Sequence, residues 1–325
     1  MKICVYGAGA VGGYLGAKLA MAGADVSLIA RGAHLEAMKR DGLRLVSGGE
    51  TTTIPVRATD DPAELGPQDH VIVTMKAHSA PPVAASMAPL LAGGGAVTMA
   101  VNGVPWWYFH GIGGPLEGRR IAAVDPGDAQ WTHIGPRNTL GCVVYVAADT
   151  PAPGVIGHGG GNRFLLGEPA GGTSPRIEAL SAALTAAGLD APVRPDIRQD
   201  VWTKLWGNLS FNPVSALTGA TLAQLGAHDG ARAVIRAMMI EAQAIGEKLG
   251  VAFPVSVDER LAGGAKVGAH KSSMLQDFEK GRPMEIGAIL TAVQELGRAT
   301  ETPTPVIDMV QGLVDLRDLT NTGRI

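Results

Sequence analysis

The residues best equipped for chemistry lie in Trp202-Thr-Lys204-Leu-Trp206-Gly-Asn208-Leu-Ser-Phe211-Asn212-Pro213. Lys204, Asn208 and Asn212 recur at i, i+4 and i+8, so a helix would set all three on one face. A lysine there can protonate a developing alkoxide, and an amide both donates and accepts hydrogen bonds to a small polar ligand. An ordinary solvated face is richer in Glu, Lys and Arg. Asparagine is a poor helix former, so two of them beside a lysine imply a use. Trp202, Leu205, Trp206 and Leu209 supply apolar packing surface. The two tryptophans are expected to desolvate the Lys204 ammonium and make it a usable proton donor. Pro213 is expected to end or kink this helix near Asn212. Further on, Glu285 is flanked by Met284 and Ile286 in an apolar helical run and is the best-placed carboxylate of this half; a half-exposed helix-edge acid is the ordinary alternative.

A proton donor needs a second reagent, and the start of the chain supplies a candidate. Lys2 to Tyr6 reads as a buried strand, followed by Gly7-Ala8-Gly9-Ala10-Val11-Gly12 and a small-residue helix to about Met21. Gly7 permits a tight turn, Gly9 lets a pyrophosphate approach the backbone, and Gly12 lets the helix lie close to the strand. A triple-glycine match alone is weak; strand, motif and helix in succession read as a dinucleotide site, with free N–H groups at the helix start. The second strand, Asp25 to Ala30, decides the cofactor. An NAD site usually ends it with Asp or Glu, whereas here Arg31 follows, suited to a bidentate pair with a 2′-phosphate. The reading is NADP(H). Lys76 follows the strand Asp69–Met75, and Asn102-Gly103 follows the strand Gly95–Val101, so both stand where α/β folds place ligands. Asn102 would suit a nicotinamide ribose or a substrate carboxylate, or simply begin an Asn-Gly turn, and position alone does not choose.

These residues require an α/β fold: an N-terminal Rossmann-type dinucleotide-binding domain over 1–195 and an all-helical C-terminal domain over 196–325. Within the first, 43–46 and 52–57 read as extended, 79–91 as a helix, and 121–166 as a sheet extension with antiparallel strands at 141–148, 154–158 and 163–167. Trp106-Trp107-Tyr108-Phe109 reads as a core plug, a lid or a subunit contact. Pro175 to Ala187 is helical. Helices are expected at 218–226, 228–249 and 254–263, then over one long segment from about His270 through Leu296, capped by Ser272 or Ser273, and finally over 306–319.

The 325 residues are 46% hydrophobic with a formal net charge of -3, which gives no basic surface for nucleic acid. Cys4 and Cys142 sit in apolar strand-like runs without metal-ligand spacing and are expected to be buried free thiols. No metal is expected. No run reaches the roughly 18 apolar residues of a membrane span, and the strand starting at Lys2 leaves no room for a signal peptide, so a cytoplasmic enzyme without membrane partners is expected. The apolar helical half admits a homodimer.

Nucleotide domain, lysine, amides and carboxylate together point to reduction of a carbonyl where the two domains meet. The chain closely resembles the ketopantoate reductase (2-dehydropantoate 2-reductase) family over nearly its whole length. The resemblance is carried by Gly7-x-Gly9-x-x-Gly12, Lys76, Asn102-Gly103, Leu166-Gly167-Glu168, Trp202-x-Lys204-Leu-x-x-Asn208-x-x-x-Asn212-Pro213, and Ser272-Ser-Met-Leu-Gln-Asp277 followed by Glu285. It implies NADPH-dependent reduction of a small 2-oxo acid, 2-dehydropantoate, to (R)-pantoate. Lys204 would be the general acid with Glu285 coupled to it and to the substrate. Asn208 and Asn212 would contact the hydroxyl end of the substrate, Asn102 and Ser273 its carboxylate, and Arg31 and Lys76 the cofactor. One departure concerns the substrate: Gly287-Ala-Ile-Leu290-Thr291 follows Glu285 where the family commonly has an Asp and then an Asn-Gly or similar pair.

Overall fold

A computed structural model describes residues 1–266 and 268–324, which divide into two compact units. The first comprises Met1–Val101, Pro105–Arg120 and Asp125–Ile197; the second comprises Asn102–Val104, Ile121–Val124 and Arg198–Ile325. Among the described residues, no helix is long and apolar enough to cross a membrane.

The first unit is built on a sheet of nine strands among the described residues, in the order β4-β3-β9-β8-β7-β6-β1-β2-β5. The parallel centre is β1 (Lys2–Tyr6), β2 (Asp25–Ile29), β6 (His70–Val73) and β7 (Ala96–Met99), with the short β5 (Arg57–Thr59) beside β2. β1, β6 and β7 are almost wholly buried, as continuous Val/Ile-rich runs covered on both faces should be. Helix α1 (Ala10–Met21) follows β1, and α2 (Gly32–Asp41) follows β2. The extension is a hairpin pair. β3 (Leu43–Ser47) and β4 (Glu50–Ile54) are antiparallel, and so are β8 (Thr139–Ala152) and β9 (Val155–Gly167). The expected extended run 52–57 is split at Pro55, and the expected pieces 154–158 and 163–167 are one long strand.

The helix expected over 79–91 is instead a succession of 3-10 turns ending in the four-residue α3 (Ala88–Leu91). Pro81, Pro82 and Pro89 remove the backbone donors that a continuous α-helix needs. A short α4 (Ala129–His133) and α5 (Pro175–Ala186) complete the unit. The aromatic run is core: Trp106, Trp107, Tyr108 and Phe109 are all buried, with Trp106 edge-on to Trp131 at 5.9 Å. Glu168 ties the end of β9 to α5 through Arg176 (2.5 Å) and Ser174 (2.5 Å). Burial pushes its carboxyl up, but the hydrogen bonds from Arg176 and Ser174 outweigh that and hold it below the usual range.

The second unit is helical: α6 (Ile197–Thr218, entering from the first unit at its first residue), α7 (Leu222–Ala227), α8 (Asp229–Lys248), α9 (Val257–Ala265), α10 (Ser273–Glu279), α11 (Ala292–Ala299) and α12 (Pro305–Asn321). α6 does not end near Asn212; it continues through Pro213, which can give no N–H to the carbonyl a turn earlier. Trp202 and Trp206 are buried and pack edge-on to Phe253, with Trp206 Nε1 donating to the Met239 carbonyl at 2.9 Å. Each lies two residues from Lys204, about 200° around the helix, and the contacts with Phe253 and Met239 anchor α6. The expected continuous segment 270–296 is broken after α10. Gly281 takes φ +63° and Pro283 follows, and helix resumes only at Ile286, opening into a π-turn over Gly287–Thr291 before α11. Glu285 therefore stands in the non-helical lead-in and not inside a helix. Ser272, not Ser273, caps α10, accepting the Leu275 N–H at 3.1 Å.

Candidate active site

In the first unit the glycine turn is held from several sides. The N–H groups of Gly7 and Ala8 both donate to the Ile29 carbonyl, at 3.0 and 2.8 Å, which joins the turn to the end of β2. Gly7 has φ +101°, and Thr74 Oγ1, beyond β6, donates to its carbonyl at 2.7 Å. A Cβ on Gly12 would overlap the Gly7 carbonyl oxygen and Thr74 Oγ1, so only glycine lets α1 begin this close to the strand. Gly9, the N-cap of α1, is different: a Cβ there would meet nothing within 4 Å. No side chain caps α1 and its first turn holds no acid, so the positive end of the helix is not already neutralised by a side chain. A pyrophosphate fits that cradle by charge and by room. Arg31 lies at the start of α2 with an exposed side chain and, among the described residues, enters no ion pair. Lys76 follows β6 by way of Met75 and is half-buried.

In the second unit, three side chains from distant parts of the sequence meet. Lys204 Nζ donates to Asn102 Oδ1 at 2.8 Å, and Asn102 Nδ2 donates to Glu285 Oε2 at 3.2 Å. The amide thus stands between the ammonium and the carboxylate and hydrogen-bonds to both. Glu285 is buried, while Lys204 and Asn102 are half-buried. Asn208 and Asn212 share the α6 face with Lys204 by their spacing; Asn212 is buried, and neither amide has a hydrogen-bond partner among the described residues. Amides so placed beside a lysine suit a ligand that brings hydroxyl or carboxylate groups. Ser273 is exposed at the first residue of α10.

Residues that the motif reading passed over hold this triad in place. Val104 N–H donates to the Ala288 carbonyl of the π-turn at 2.8 Å. Gly103 between them takes φ +88°, and a Cβ on it would overlap that same carbonyl oxygen. Glu295 of α11 accepts the N–H groups of Ala122 and Ala123 at 2.9 and 2.8 Å, fixing the second short excursion. The buried Asp318 of α12 accepts the Met284 N–H at 2.9 Å, next to Glu285. Ala288, Ile289 and Leu290, the apolar stretch after Glu285, are buried. Only the Asn-Gly pair gave a sequence signal, a turn signal; the carboxylates on backbone N–H groups gave none.

Comparison with known proteins gives the family of the chain. The family model described as ketopantoate reductase PanE/ApbA matches residues 3–171, and its C-terminal counterpart matches 196–318. The chain is 59% identical over 315 residues to a 2-dehydropantoate 2-reductase from Mesorhizobium japonicum, covering 97% of each. It is similar to the crystal structure of a putative ketopantoate reductase from Ralstonia solanacearum MolK2 (48% identity, TM-score 0.94, covering 99% of this chain and 98% of that one). It is also similar to that of a 2-dehydropantoate 2-reductase from Geobacter metallireducens GS-15 (30% identity, TM-score 0.85, covering 97% and 99%).

Proposed function

The chain belongs to the ketopantoate reductase family, and from that premise we propose that it reduces 2-dehydropantoate to (R)-pantoate with NADPH, Lys204 delivering the proton. Reductase chemistry on a 2-oxo-acid-like substrate with a nicotinamide dinucleotide belongs to the family level; the particular substrate, the preference for NADPH and the residue roles are the proposal. The observation that carries it is the Lys204–Asn102–Glu285 chain, with two unpaired amides on the same helical face as the lysine.

When bound, NADPH supplies the hydride equivalent to C2 of the 2-oxo acid. The protein must then neutralise the oxygen that becomes an alkoxide. Lys204 has three N–H donors, of which Asn102 Oδ1 takes one and fixes the direction of the ammonium. The ammonium so oriented can donate to the carbonyl oxygen and transfer a proton to it as charge develops. Glu285 compensates the ammonium through the Asn102 amide, and as a carboxylate it can accept from a substrate hydroxyl. Asn208 and Asn212 can pair with the hydroxyl at the far end, and Ser273 with the carboxylate. In the first unit, Arg31 would pair with the 2′-phosphate and Lys76 would contact the dinucleotide, the absence of an acid at the end of β2 being what favours NADPH.

The test is a panel of 2-oxo acids followed by NADPH oxidation at saturating cofactor. Turnover of 2-dehydropantoate should exceed that of 2-oxobutyrate and bulkier ketones by at least about an order of magnitude in kcat/KM. Equal turnover of 2-oxobutyrate would move the assignment to a different 2-oxo acid. Lys204→Ala should lower kcat by roughly 10²- to 10⁴-fold with little change in NADPH affinity. A Lys204→Ala enzyme with unchanged kcat would remove the proposed acid.

A further inference from the structure

We infer that His34 is a positioning residue for the dinucleotide, acting on the peptide between Ala8 and Gly9 at the heart of the glycine turn. His34 lies in the first turn of α2 and makes two hydrogen bonds in opposite directions. Its Nδ1 accepts the Gly154 N–H at 2.9 Å, and its Nε2 meets the Ala8 carbonyl oxygen at 2.7 Å. A backbone N–H can only donate, so Nδ1 must carry the lone pair, and Nε2 must therefore carry the hydrogen given to Ala8. One neutral tautomer satisfies both contacts.

Each end of this strut is an anchored point. Gly154 is the tip of the β8–β9 hairpin; its carbonyl accepts the Arg44 N–H at 2.9 Å, its φ is +72°, and a Cβ on it would lie 2.8 Å from that of Ala37. The hairpin tip is therefore docked tightly on α2 and β3, and His34 passes that rigidity to the turn. At the other end, the amide N–H groups of Gly7, Ala8 and Gly9 are already engaged by backbone carbonyls, but the Ala8 carbonyl has the imidazole as its hydrogen-bond donor. Gly9 follows with open space where a side chain would be. Without the imidazole, the Ala8–Gly9 peptide can tilt, and the α1 N–H groups next to it lose their preset direction toward a pyrophosphate.

The inference rests on the dinucleotide reading above. It separates two functions that a loss of cofactor affinity would otherwise blur. The pyrophosphate is common to NADPH and NADH, whereas the 2′-phosphate proposed for Arg31 is not. The two nitrogens can also be removed one at a time: glutamine can place a donor near the position of Nε2, and asparagine an acceptor near that of Nδ1.

Both dinucleotides would be titrated by their intrinsic fluorescence into the wild type, His34→Asn, His34→Gln and Arg31→Ala. His34→Asn should weaken NADPH and NADH by the same factor, about tenfold, with kcat at saturating cofactor nearly unchanged, while His34→Gln stays close to the wild type. Arg31→Ala should weaken NADPH alone. In the cofactor-free proteins, hydrogen exchange at residues 8–12 should be faster in His34→Asn than in His34→Gln, a readout that needs no ligand. Asn and Gln variants that bind both dinucleotides like the wild type, or a loss confined to NADPH, would overturn the role given to His34. A wild type that binds neither dinucleotide would overturn the cofactor reading itself.

Discussion

Asn102 accepts through one atom and donates through another, which is what a bridge between an ammonium and a carboxylate requires. No other side chain of its size does both without charge. Asn102→Asp would keep the shape but set a carboxylate within about hydrogen-bond distance of Glu285, where two like charges disfavour joint ionisation. We expect kcat to fall by roughly 10- to 100-fold at neutral pH and the pH–rate profile to gain a protonation on its acid side, with KM for NADPH unchanged. A profile of wild-type shape would argue that the bridge plays no part in proton delivery. At this scale the sequence was informative about α6, because a lysine and two asparagines at fourfold spacing are unusual on a wet helix. It was uninformative about Asn102, whose three readings differ only in what lies across 102 residues of chain from it. Trp202 and Trp206, two positions to either side of Lys204, pack on Phe253 and anchor the helix that carries it.

The elements around Glu285 show how local irregularity serves the triad. A regular helix through 270–296 would have carried Glu285 round with its turn; the break at Gly281 and Pro283 frees it, and the π-turn after it presents the Ala288 carbonyl to Val104. Apolar periodicity reads straight through such a break, since Met284, Ile286, Ile289, Leu290 and Val293 still look helical, and a single inserted residue in a turn leaves no clear mark. Gly103→Ala would both strain a positive φ and press on the Ala288 carbonyl, so we expect a loss of about 1–3 kcal/mol of stability in denaturant titration and a lower kcat. Stability equal to the wild type would show that the 102–104 segment is free to relax. The junction of β9 with α5 offers a pH-dependent counterpart. Glu168 has a lowered carboxyl in the folded state, so its contribution is complete above the ordinary glutamate range and fades as pH falls through the lowered folded value. Glu168→Gln should therefore lower the urea midpoint at pH 7, with a deficit that shrinks as pH is lowered below the ordinary glutamate range; a deficit independent of pH would assign its effect to packing.

On the scale of the whole molecule, the chain enters the second unit three times: at Asn102–Val104, at Ile121–Val124, and from Arg198 onward. The long helical portion was legible from composition and period, as was the strand-helix alternation of the first unit. The two short entries were not, because each is held by partners more than 170 residues away, Ala288 for one and Glu295 for the other. This topology makes a definite prediction for a fragment ending at residue 197. Its glycine turn, β2 and β6 keep the hydrogen bonds from Gly7 and Ala8 to the Ile29 carbonyl and from Thr74 to the Gly7 carbonyl, all within the first unit, so the dinucleotide cradle should survive. The N–H groups of Val104, Ala122 and Ala123, however, lose the acceptors they have in the intact chain. Limited proteolysis of the fragment should then open new cleavage between about residues 102 and 124, at protease levels that leave the intact chain whole. NADPH should still raise the melting temperature of the fragment, as binding to the folded state alone requires. Fragment and intact chain with identical cleavage patterns would mean that the two excursions are held by the first unit after all, and that the carboxylate of Glu295 and the Ala288 carbonyl are incidental partners.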